Sequence, residues 1–257
     1  MESAVLTIIT GATRGLGQAL ATQLLVQPHA CVLQISRNAS EALTQVAAKH
    51  GSCLLQWQAD LADAEQVAMR LAQWFDKPQH VKWQEIRLIN NAAAQPEQIA
   101  PVVTTLPDSL RQVLRVDLEA PMLLTAAFLQ ATETSAAQGA VRKVLNISSG
   151  LARLALGSMA SYSAAKAGLD QFTRCLAQEE AVRTHGARVC SLHPGVIDTG
   201  MQLQMRQTGE ALFPAAGNFK QLHSSGRLRS AEQAAQTILQ VLEGPHFGKQ
   251  VIVELPL

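Results

Sequence analysis

The residues between positions 146 and 166 have the types and spacing that acid–base chemistry requires. Tyr162 is the only tyrosine of the chain, Lys166 follows it by four positions, and Ser149 precedes it by thirteen. The alanines around Tyr162 favour a helix, on which the i,i+4 spacing places the phenol and the ammonium on one face. A free phenol has a pKa of roughly 10, and a nearby cation lowers that pKa by favouring the phenolate. The segment therefore predicts a proton donor whose pKa is kept low by Lys166.

A pair of serines follows the apolar run 141–147, which is predicted to be a strand. The Ser149 hydroxyl could hold a carbonyl oxygen within reach of the phenol. Ser148 ranks second for this role, because its side chain should point the other way if the strand pleat continues to that point. Short patterns recur by chance. The alternative is therefore a helix that merely carries a tyrosine and a lysine, after serines that only end a strand.

Composition limits the kinds of protein this chain can be. It has 257 residues, 47% of them hydrophobic, with 16% charged residues and a formal net charge of +1. These values favour one globular domain over residues 1–257 and give no indication of a nucleic-acid or membrane partner. No apolar run approaches the roughly 20 residues of a membrane span.

Cysteines and histidines give no indication of a metal site. The histidines lack paired ligand spacing, and the cysteines lack C-x-x-C spacing, so we predict no bound metal. Together with the absence of a basic flank at residues 1–3, widely spaced cysteines favour reduced thiols and a cytoplasmic location. The four cysteines are Cys31, Cys53, Cys175 and Cys190.

A glycine-rich turn follows the first predicted strand, residues 4–9. Its glycines have the spacing G-x-x-x-G-x-G, and a predicted helix runs from the turn to about residue 26. Such a turn lets the backbone approach a pyrophosphate, which binds at the positive N-terminus of the helix. The alternative is a glycine turn without a ligand. The predicted cofactor-binding residues of the turn are Gly11, Thr13, Arg14, Gly15, Leu16 and Gly17.

Arg37 follows the second predicted strand, residues 31–35, where a dinucleotide fold recognises the ribose of its cofactor. An acidic residue at this place would accept a hydrogen bond from a free 2′-hydroxyl and repel a 2′-phosphate. Here Arg37 and Arg14 offer two guanidiniums, which suit a phosphate. We therefore predict NADP(H) rather than NAD(H). The alternative is a pair of solvated surface arginines.

Strands and helices alternate along the chain, which predicts an α/β fold with a parallel sheet covered by helices on both faces. Ligands of such sheets bind at the carboxyl ends of the strands. Further polar or small residues follow predicted strands at that edge, so one shared site is expected. They are Asp60 and Leu61 after 52–58, Asn91 and Ala92 after 85–89, and Pro194, Gly195, Ile197 and Thr199 after 187–192.

Two of these residues have a structural alternative. Asp60 could contact the adenine edge, or it could cap the helix predicted for 63–75. Asn91 could bond backbone groups across strand ends, or it could form a plain turn.

Residues 200–229 are predicted to be a long irregular segment that covers the substrate. Its large apolar residues are the predicted substrate contacts, namely Met201, Met205, Phe213 and Phe219.

The chain resembles the short-chain dehydrogenase/reductase family over nearly its whole length. The matching pieces are T-G-A-T-R-G-L-G, A-D-L, N-N-A, I-S-S with Tyr162-x-x-x-Lys166, and P-G-V-I-D-T, in the family's order. The resemblance implies a single Rossmann-type, doubly wound, seven-stranded sheet and a homodimer or homotetramer. It also implies that Ile197 and Thr199 hold the nicotinamide carboxamide and that Lys166 and Tyr162 contact its ribose.

The chain departs from the family pattern at two positions. Asp117, within a helix predicted for 107–133, stands where the family usually has an asparagine, to which the resemblance assigns a water link from Lys166 to solvent. If the backbone carbonyl at this position makes the link, Asp117 can substitute for the asparagine. If the side chain makes it, an extra carboxylate near Lys166 would alter the pKa of the tyrosine. Ala93 replaces a glycine and narrows the pocket slightly.

The C-terminal third resembles sepiapterin reductases and bacterial benzil reductases, through D-T-G-M-Q-L-Q, Phe213-Pro214, Phe219, G-R-L and S-A-E. This implies an NADPH-dependent carbonyl reductase. Glu254 is the only acidic residue of the terminal strand that could anchor a pterin, so an aromatic or α-dicarbonyl substrate is favoured. The alternatives are an NAD-linked alcohol dehydrogenase and a non-catalytic NADP(H)-sensing protein.

Overall fold

The apolar runs of the sequence form the strands of a single sheet. The computed structural model describes residues 4–77 and 81–256, and within them seven strands pair in parallel in the order β3-β2-β1-β4-β5-β6-β7. The predicted α/β, doubly wound sheet is confirmed. The strand order reverses between β1 and β4, where such sheets bind ligands. The strands are β1 (Ala4–Thr10), β2 (Ala30–Ser36), β3 (Cys53–Gln58), β4 (Trp83–Asn90), β5 (Val141–Ile147), β6 (Arg188–His193) and β7 (Ile252–Glu254).

Helices cover both faces of the sheet, which explains why the central strands are buried along most of their length. One core lies between the sheet and α1, α2 and α10, and a second lies between the sheet and α3, α5 and α7. The helices are α1 (Gly15–Leu25), α2 (Glu41–His50), α3 (Ala64–Phe75), α4 (Pro107–Leu114), α5 (Ala120–Ala131), α6 (Glu133–Ala137), α7 (Ala160–Ala181), α8 (Gly200–Gln207), α9 (Ala216–Ser224) and α10 (Ala231–Glu243).

The long helix predicted for residues 107–133 is interrupted. A π-helical turn, Arg115–Glu119, joins α4 to α5, and α6 follows as a separate short helix. Pro121 at the start of α5 has no N–H to donate to the preceding turn. The hydrogen bonding is therefore rearranged just before it, and Asp117 lies in the turn that results.

The prediction that residues 200–229 are irregular is wrong, because the segment contains α8 and α9. The helix α2 was not predicted, although Ser40 caps its start and Gly51 ends it in the left-handed region at φ 66°. The polar stretch of residues 78–84 predicts a connection before the fourth strand; residues 78–80 lie outside the described part of the chain, and residues 83 and 84 belong to β4.

Cys31 and Cys53 form a disulfide between β2 and β3. The expectation of reduced thiols is wrong for this pair. The two residues are 22 positions apart in sequence, but the parallel register places them opposite each other, with their Cα atoms 4.3 Å apart. Cys175 and Cys190 are free, the first exposed and the second buried.

Candidate active site

Helix α7 places Tyr162 and Lys166 on one buried face, as their spacing predicts. Lys166 Nζ lies 5.6 Å from the centroid of the Tyr162 ring and donates a hydrogen bond of 3.1 Å to the carbonyl of Ile147. The ammonium is therefore fixed between the end of β5 and the phenol. Only 6% of Tyr162 and 2% of Lys166 are exposed. A charge and a proton donor thus share a site from which most water is excluded.

The two serines after β5 point in different directions, as predicted. The Ser149 hydroxyl donates a hydrogen bond toward Tyr162 and accepts one from the N–H of Leu151. Ser148 is buried, and its hydroxyl contacts the carbonyl of Lys166 at 3.5 Å and the side chain of Asp170. Ser149 is therefore the serine that lies beside the phenol.

The pKa of Tyr162 differs from the sequence prediction. Burial raises the pKa above the ordinary value of 10.0 and outweighs the Lys166 charge, which lowers it. The carboxylate of Asp117 adds to the upward shift, whereas the hydrogen bond from Ser149 opposes it. Lys166 acts in the predicted direction, but the prediction of a low pKa is wrong for this structure, because the sequence did not show how deeply the phenol lies.

Asp117 lies beside Lys166. Its side chain is fully buried, Oδ2 lies 3.6 Å from Lys166 Nζ, and Oδ1 accepts a hydrogen bond of 2.6 Å from the N–H of Ala94. Burial raises the pKa of Asp117 above its usual range, and the neighbouring Lys166 charge opposes that shift. The sequence identified the residue, and the structure brings its charge into the site.

The glycine-rich turn packs tightly against the end of β4. A Cβ atom at Gly11 would lie 2.8 Å from the Cα of Ala92, and one at Gly17 would lie 2.2 Å from the carbonyl oxygen of Gly11. The Asn91 amide donates to the carbonyls of Thr10 and Gly11 at 3.0 and 3.2 Å. Asn91 thus bonds backbone groups across the strand ends, as its first interpretation predicts.

Arg14 and Arg37 are both exposed at the ends of β1 and β2. Within residues 4–77 and 81–256, neither guanidinium has an ion pair or a hydrogen bond, so both remain available to a ligand. The turn that carries Arg14 is tied to β2 by a hydrogen bond of 3.0 Å from the N–H of Ala12 to Ser36 Oγ. The two arginines therefore extend from neighbouring strand ends.

The carboxylate of Asp60 accepts a hydrogen bond of 2.9 Å from the N–H of Ala62 and caps the short 3₁₀ turn Leu61–Asp63. This contact supports the capping alternative for the Asp60 side chain. Leu61, the neighbouring predicted residue, is buried in the core below α3.

The segment after β6 runs beside the glycine-rich turn. Pro194 is buried, Gly195 has a φ of 78°, and Ile197 pairs with Arg229 in an isolated bridge. A Cβ at Gly15 would lie 3.7 Å from the Thr199 methyl group. Thr199 and the helix that begins with Gly15 therefore face each other across the predicted cofactor site.

Tyr162 belongs to an apolar cluster that includes all four predicted substrate residues. Phe213 and Met205 are buried in it, Met201 and Phe219 pack against it, and the rings of Phe213 and Phe219 lie 5.5 Å apart. The sequence analysis missed three other members, which come from different elements and show no common pattern in the sequence. They are Ile99, Val113 and Met159.

Neither a metal-binding cluster nor a membrane-spanning helix is present in the described part of the chain. Residues 4–77 and 81–256 contain no group of three or more histidine, cysteine, aspartate or glutamate side chains arranged to hold a metal ion. None of the helices in these ranges has the length and apolar character needed to cross a membrane.

Comparison with known proteins gives consistent matches over most of the chain. The short chain dehydrogenase family model matches residues 6–210. A benzil reductase ((S)-benzoin forming) of Bacillus cereus is 31% identical over 248 residues, covering 96% of this chain and 98% of that protein. The sepiapterin reductase of Bos taurus is 30% identical over 251 residues, covering 94% and 91%.

Solved structures share the arrangement of strands and helices. The structure of a putative 2-deoxy-d-gluconate 3-dehydrogenase from Agrobacterium tumefaciens, with bound NADP, is 25% identical with a TM-score of 0.78. The match covers 98% of this chain and 95% of that one. The fold is therefore shared with a structure that holds NADP.

Proposed function

The chain belongs to the short-chain dehydrogenase family and is an oxidoreductase of that type, and from this premise we propose that it is an NADPH-dependent carbonyl reductase. The observation that carries the proposal is the position of Tyr162. Its phenol lies beside Ser149 and Lys166 and at the same time forms part of the apolar cluster around Phe213. A proton donor is thus held where an apolar carbonyl compound would bind.

The chain's own residues supply the proton and hold the oxygen. Tyr162 gives its proton to the carbonyl oxygen as a general acid. Ser149 donates a hydrogen bond to the same oxygen, and the Lys166 charge stabilises the phenolate that remains. When bound, the nicotinamide cofactor supplies the hydride. Because Tyr162 is almost fully buried, competing water has little access to the transferred proton.

The proposed cofactor fits the residues at the ends of β1 and β2. Gly11 and Gly17 keep open a close approach that any Cβ atom would block. Arg14 and Arg37 have no partner in the described part of the chain, and the segment Ser36-Arg37-Asn38 lacks a carboxylate that would repel a 2′-phosphate. These arginines carry the preference for NADPH over NADH.

The proposed substrate is a ketone beside a second carbonyl group and an aromatic ring. The wall around Tyr162 is apolar and contains the rings of Phe213 and Phe219, which are tilted by 36° to each other and suit planar apolar groups. The relatives named benzil reductase and sepiapterin reductase support this class. We propose that residues 200–229 act as the lid over this substrate.

An NAD-linked alcohol dehydrogenase is the alternative that the site favours less. Arg37 stands where an acidic residue would accept a hydrogen bond from the free 2′-hydroxyl of NAD, and it argues against that cofactor. Burial raises the pKa of the Tyr162 phenol, which disfavours the phenolate form. The homodimer or homotetramer remains a proposal from the family resemblance. The cytoplasmic location is proposed on the sequence alone, and the Cys31–Cys53 disulfide weighs against it.

The function is tested with the purified protein and a panel of benzil, an aliphatic α-diketone, sepiapterin and an aryl monoketone, each with NADPH and with NADH. We expect NADPH oxidation with the diketones. Tyr162→Phe removes only the hydroxyl and should lower kcat by roughly 10²–10⁴-fold. NADPH binding by this variant, followed by fluorescence, should be retained. Turnover of the diketones by Tyr162→Phe at the wild-type rate would refute the proton-donor role.

A further inference from the structure

Asp117 is a buried carboxylate, and only one of its two oxygens accepts a hydrogen bond within the described residues. Oδ1 accepts the hydrogen bond from Ala94, but Oδ2 is buried and has no hydrogen-bond partner within the described residues. A buried charge is costly unless it is paired. An asparagine would accept the same bond from Ala94 without that cost. The charge therefore has a role other than holding the loop after β4.

Lys166 lies close to both Asp117 and the phenol. Its Nζ is 3.6 Å from Asp117 Oδ2 and 5.6 Å from the Tyr162 ring centroid, and its hydrogen bond goes to the neutral carbonyl of Ile147. At 3.6 Å in a buried site, opposite charges interact strongly. The carboxylate of Asp117 therefore cancels part of the electrostatic effect that Lys166 has on the phenol.

We propose that Asp117 holds Tyr162 in its protonated form by offsetting the charge of Lys166, and so extends to higher pH the range in which this site can carry out reduction. Reduction uses the phenol as an acid, whereas oxidation of an alcohol uses the phenolate as a base. Asp117 acts through Lys166 and is a positioning residue for charge. The offset of the Lys166 charge by Asp117 is argued from their distance alone. The consequence for reduction rests on the proposed function.

Other charged groups on the elements around Tyr162 are engaged elsewhere. Further along α7, Asp170 contacts His193 of β6 at 2.8 Å. Three further charged pairs lie near this helix: Arg153 with Glu254 after the Ser149 turn, Arg111 with Asp108 on α4, and Arg206 of α8 with Asp198. Arg115 and Glu119, in the same π-helical turn as Asp117, are exposed.

Asp117 and Lys166 are therefore the charged groups that act on the phenol. Burial raises the pKa of Tyr162, Lys166 lowers it, and Asp117 raises it again. Removing the carboxylate must lower that pKa.

The test uses the fact that Tyr162 is the only tyrosine of the chain. The ultraviolet absorbance of the phenolate in the intact protein therefore reports on this residue alone, without cofactor or substrate. Asp117→Asn keeps an oxygen acceptor for Ala94 and removes the charge. We expect its phenol to titrate roughly one pH unit lower than that of the wild type. Circular dichroism at each pH restricts the comparison to folded protein.

Glu180→Gln is the matched control. Glu180 is a buried carboxylate on the same helix, and its Oε2 accepts a hydrogen bond from Ala187, which a glutamine can also provide. It lies five turns from Tyr162, so its loss should leave the phenol titration in place. Asp117→Ser, a second uncharged variant with an oxygen acceptor, should shift the titration as Asp117→Asn does. Titrations of both Asp117 variants that coincide with the wild type would overturn the proposal.

Kinetics provide a second and separate readout. Reduction requires protonated Tyr162, so its rate falls as pH rises through the phenol pKa, and in Asp117→Asn this fall should occur at lower pH. A shifted titration without turnover would refute the proposed function alone. Turnover with an unchanged pH profile and titration would refute the role of Asp117 alone.

Discussion

At the scale of single residues, Arg14 and Arg37 show how a side chain can determine specificity without touching the reacting atoms. Both are exposed, and neither stabilises the fold through a hydrogen bond or ion pair in the described residues. Because these two guanidiniums give up no hydrogen bond or ion pair within the described residues, binding an anion costs them little free energy. Their contribution should therefore appear in cofactor affinity and leave stability unchanged.

Arg37→Gln tests this role. Loss of one guanidinium from a 2′-phosphate should raise KM for NADPH about tenfold or more, because charge-assisted hydrogen bonds contribute roughly 1.5–3 kcal/mol. KM for NADH should stay unchanged. Arg188→Gln, an exposed arginine at the opposite end of its strand β6, is the matched control. A parallel change in KM for both cofactors in Arg37→Gln would show that the residue does not read the phosphate.

The residue types and spacing of the site could be predicted from the sequence, because spacing on one helix determines which side chains share a face. Tyr162 and Lys166 are brought together in this way, and Ser149 joins them from the end of β5. The direction of the Tyr162 pKa could not be predicted. It depends on burial by residues from several elements, and their distances are set only when the chain folds.

At the scale of secondary-structure elements, the helices α8 and α9 form the wall of the site opposite α7. The hydroxyl of Ser158, just before α7, donates a hydrogen bond of 2.7 Å to the carbonyl of Leu212, and Gln204 of α8 donates one of 2.9 Å to the carbonyl of Pro96. These bonds hold Phe213 against the cluster that contains Tyr162. The aromatic face of Phe213 should therefore contribute to substrate binding.

Phe213→Leu tests that contribution while keeping an apolar side chain in the core. We expect KM for a diaryl diketone to rise about tenfold, since an aromatic pair contributes roughly 0.5–1.5 kcal/mol beyond its burial. KM for an aliphatic diketone should change little. Leu203→Ala, on α8 and 46% exposed, serves as the control. Equal increases in KM for the two diketones would mean that Phe213 supports the wall without contacting the ring.

Element types were predicted best where the apolar pattern was continuous. The strand Val141–Ile147 has the predicted boundaries. Residues 200–229 contain few apolar positions at helical spacing, and α8 and α9 are held by packing on Tyr162's cluster rather than by their own pattern. The π-helical turn at Asp117 depends on Pro121, whose effect on the preceding turn was not considered.

At the scale of the whole molecule, Arg142 connects the sheet to three helical segments. It lies on β5 with its side chain fully buried, and it donates hydrogen bonds to the carbonyls of Leu129 and His185. Its guanidinium also lies 3.0 Å from Glu133 and 3.6 Å from Glu180. Arg142 thus fixes parts of α5, α6 and α7 to the sheet at the edge opposite the active site. Displacement of these parts should leave the catalytic residues in place.

Arg142→Met should therefore lower the free energy of unfolding by about 3–5 kcal/mol, because it leaves buried carbonyls and Glu180 without their partner. Arg183→Met is the matched control, since Arg183 pairs with the same Glu133 at 2.7 Å but is 46% exposed. Its loss should cost less than about 1 kcal/mol. Denaturant titrations in which the m value stays unchanged measure the free energy of unfolding of both variants. Equal losses in the two variants would contradict this assignment, whereas an unequal loss with unchanged kcat would place stability and catalysis at opposite edges of one sheet.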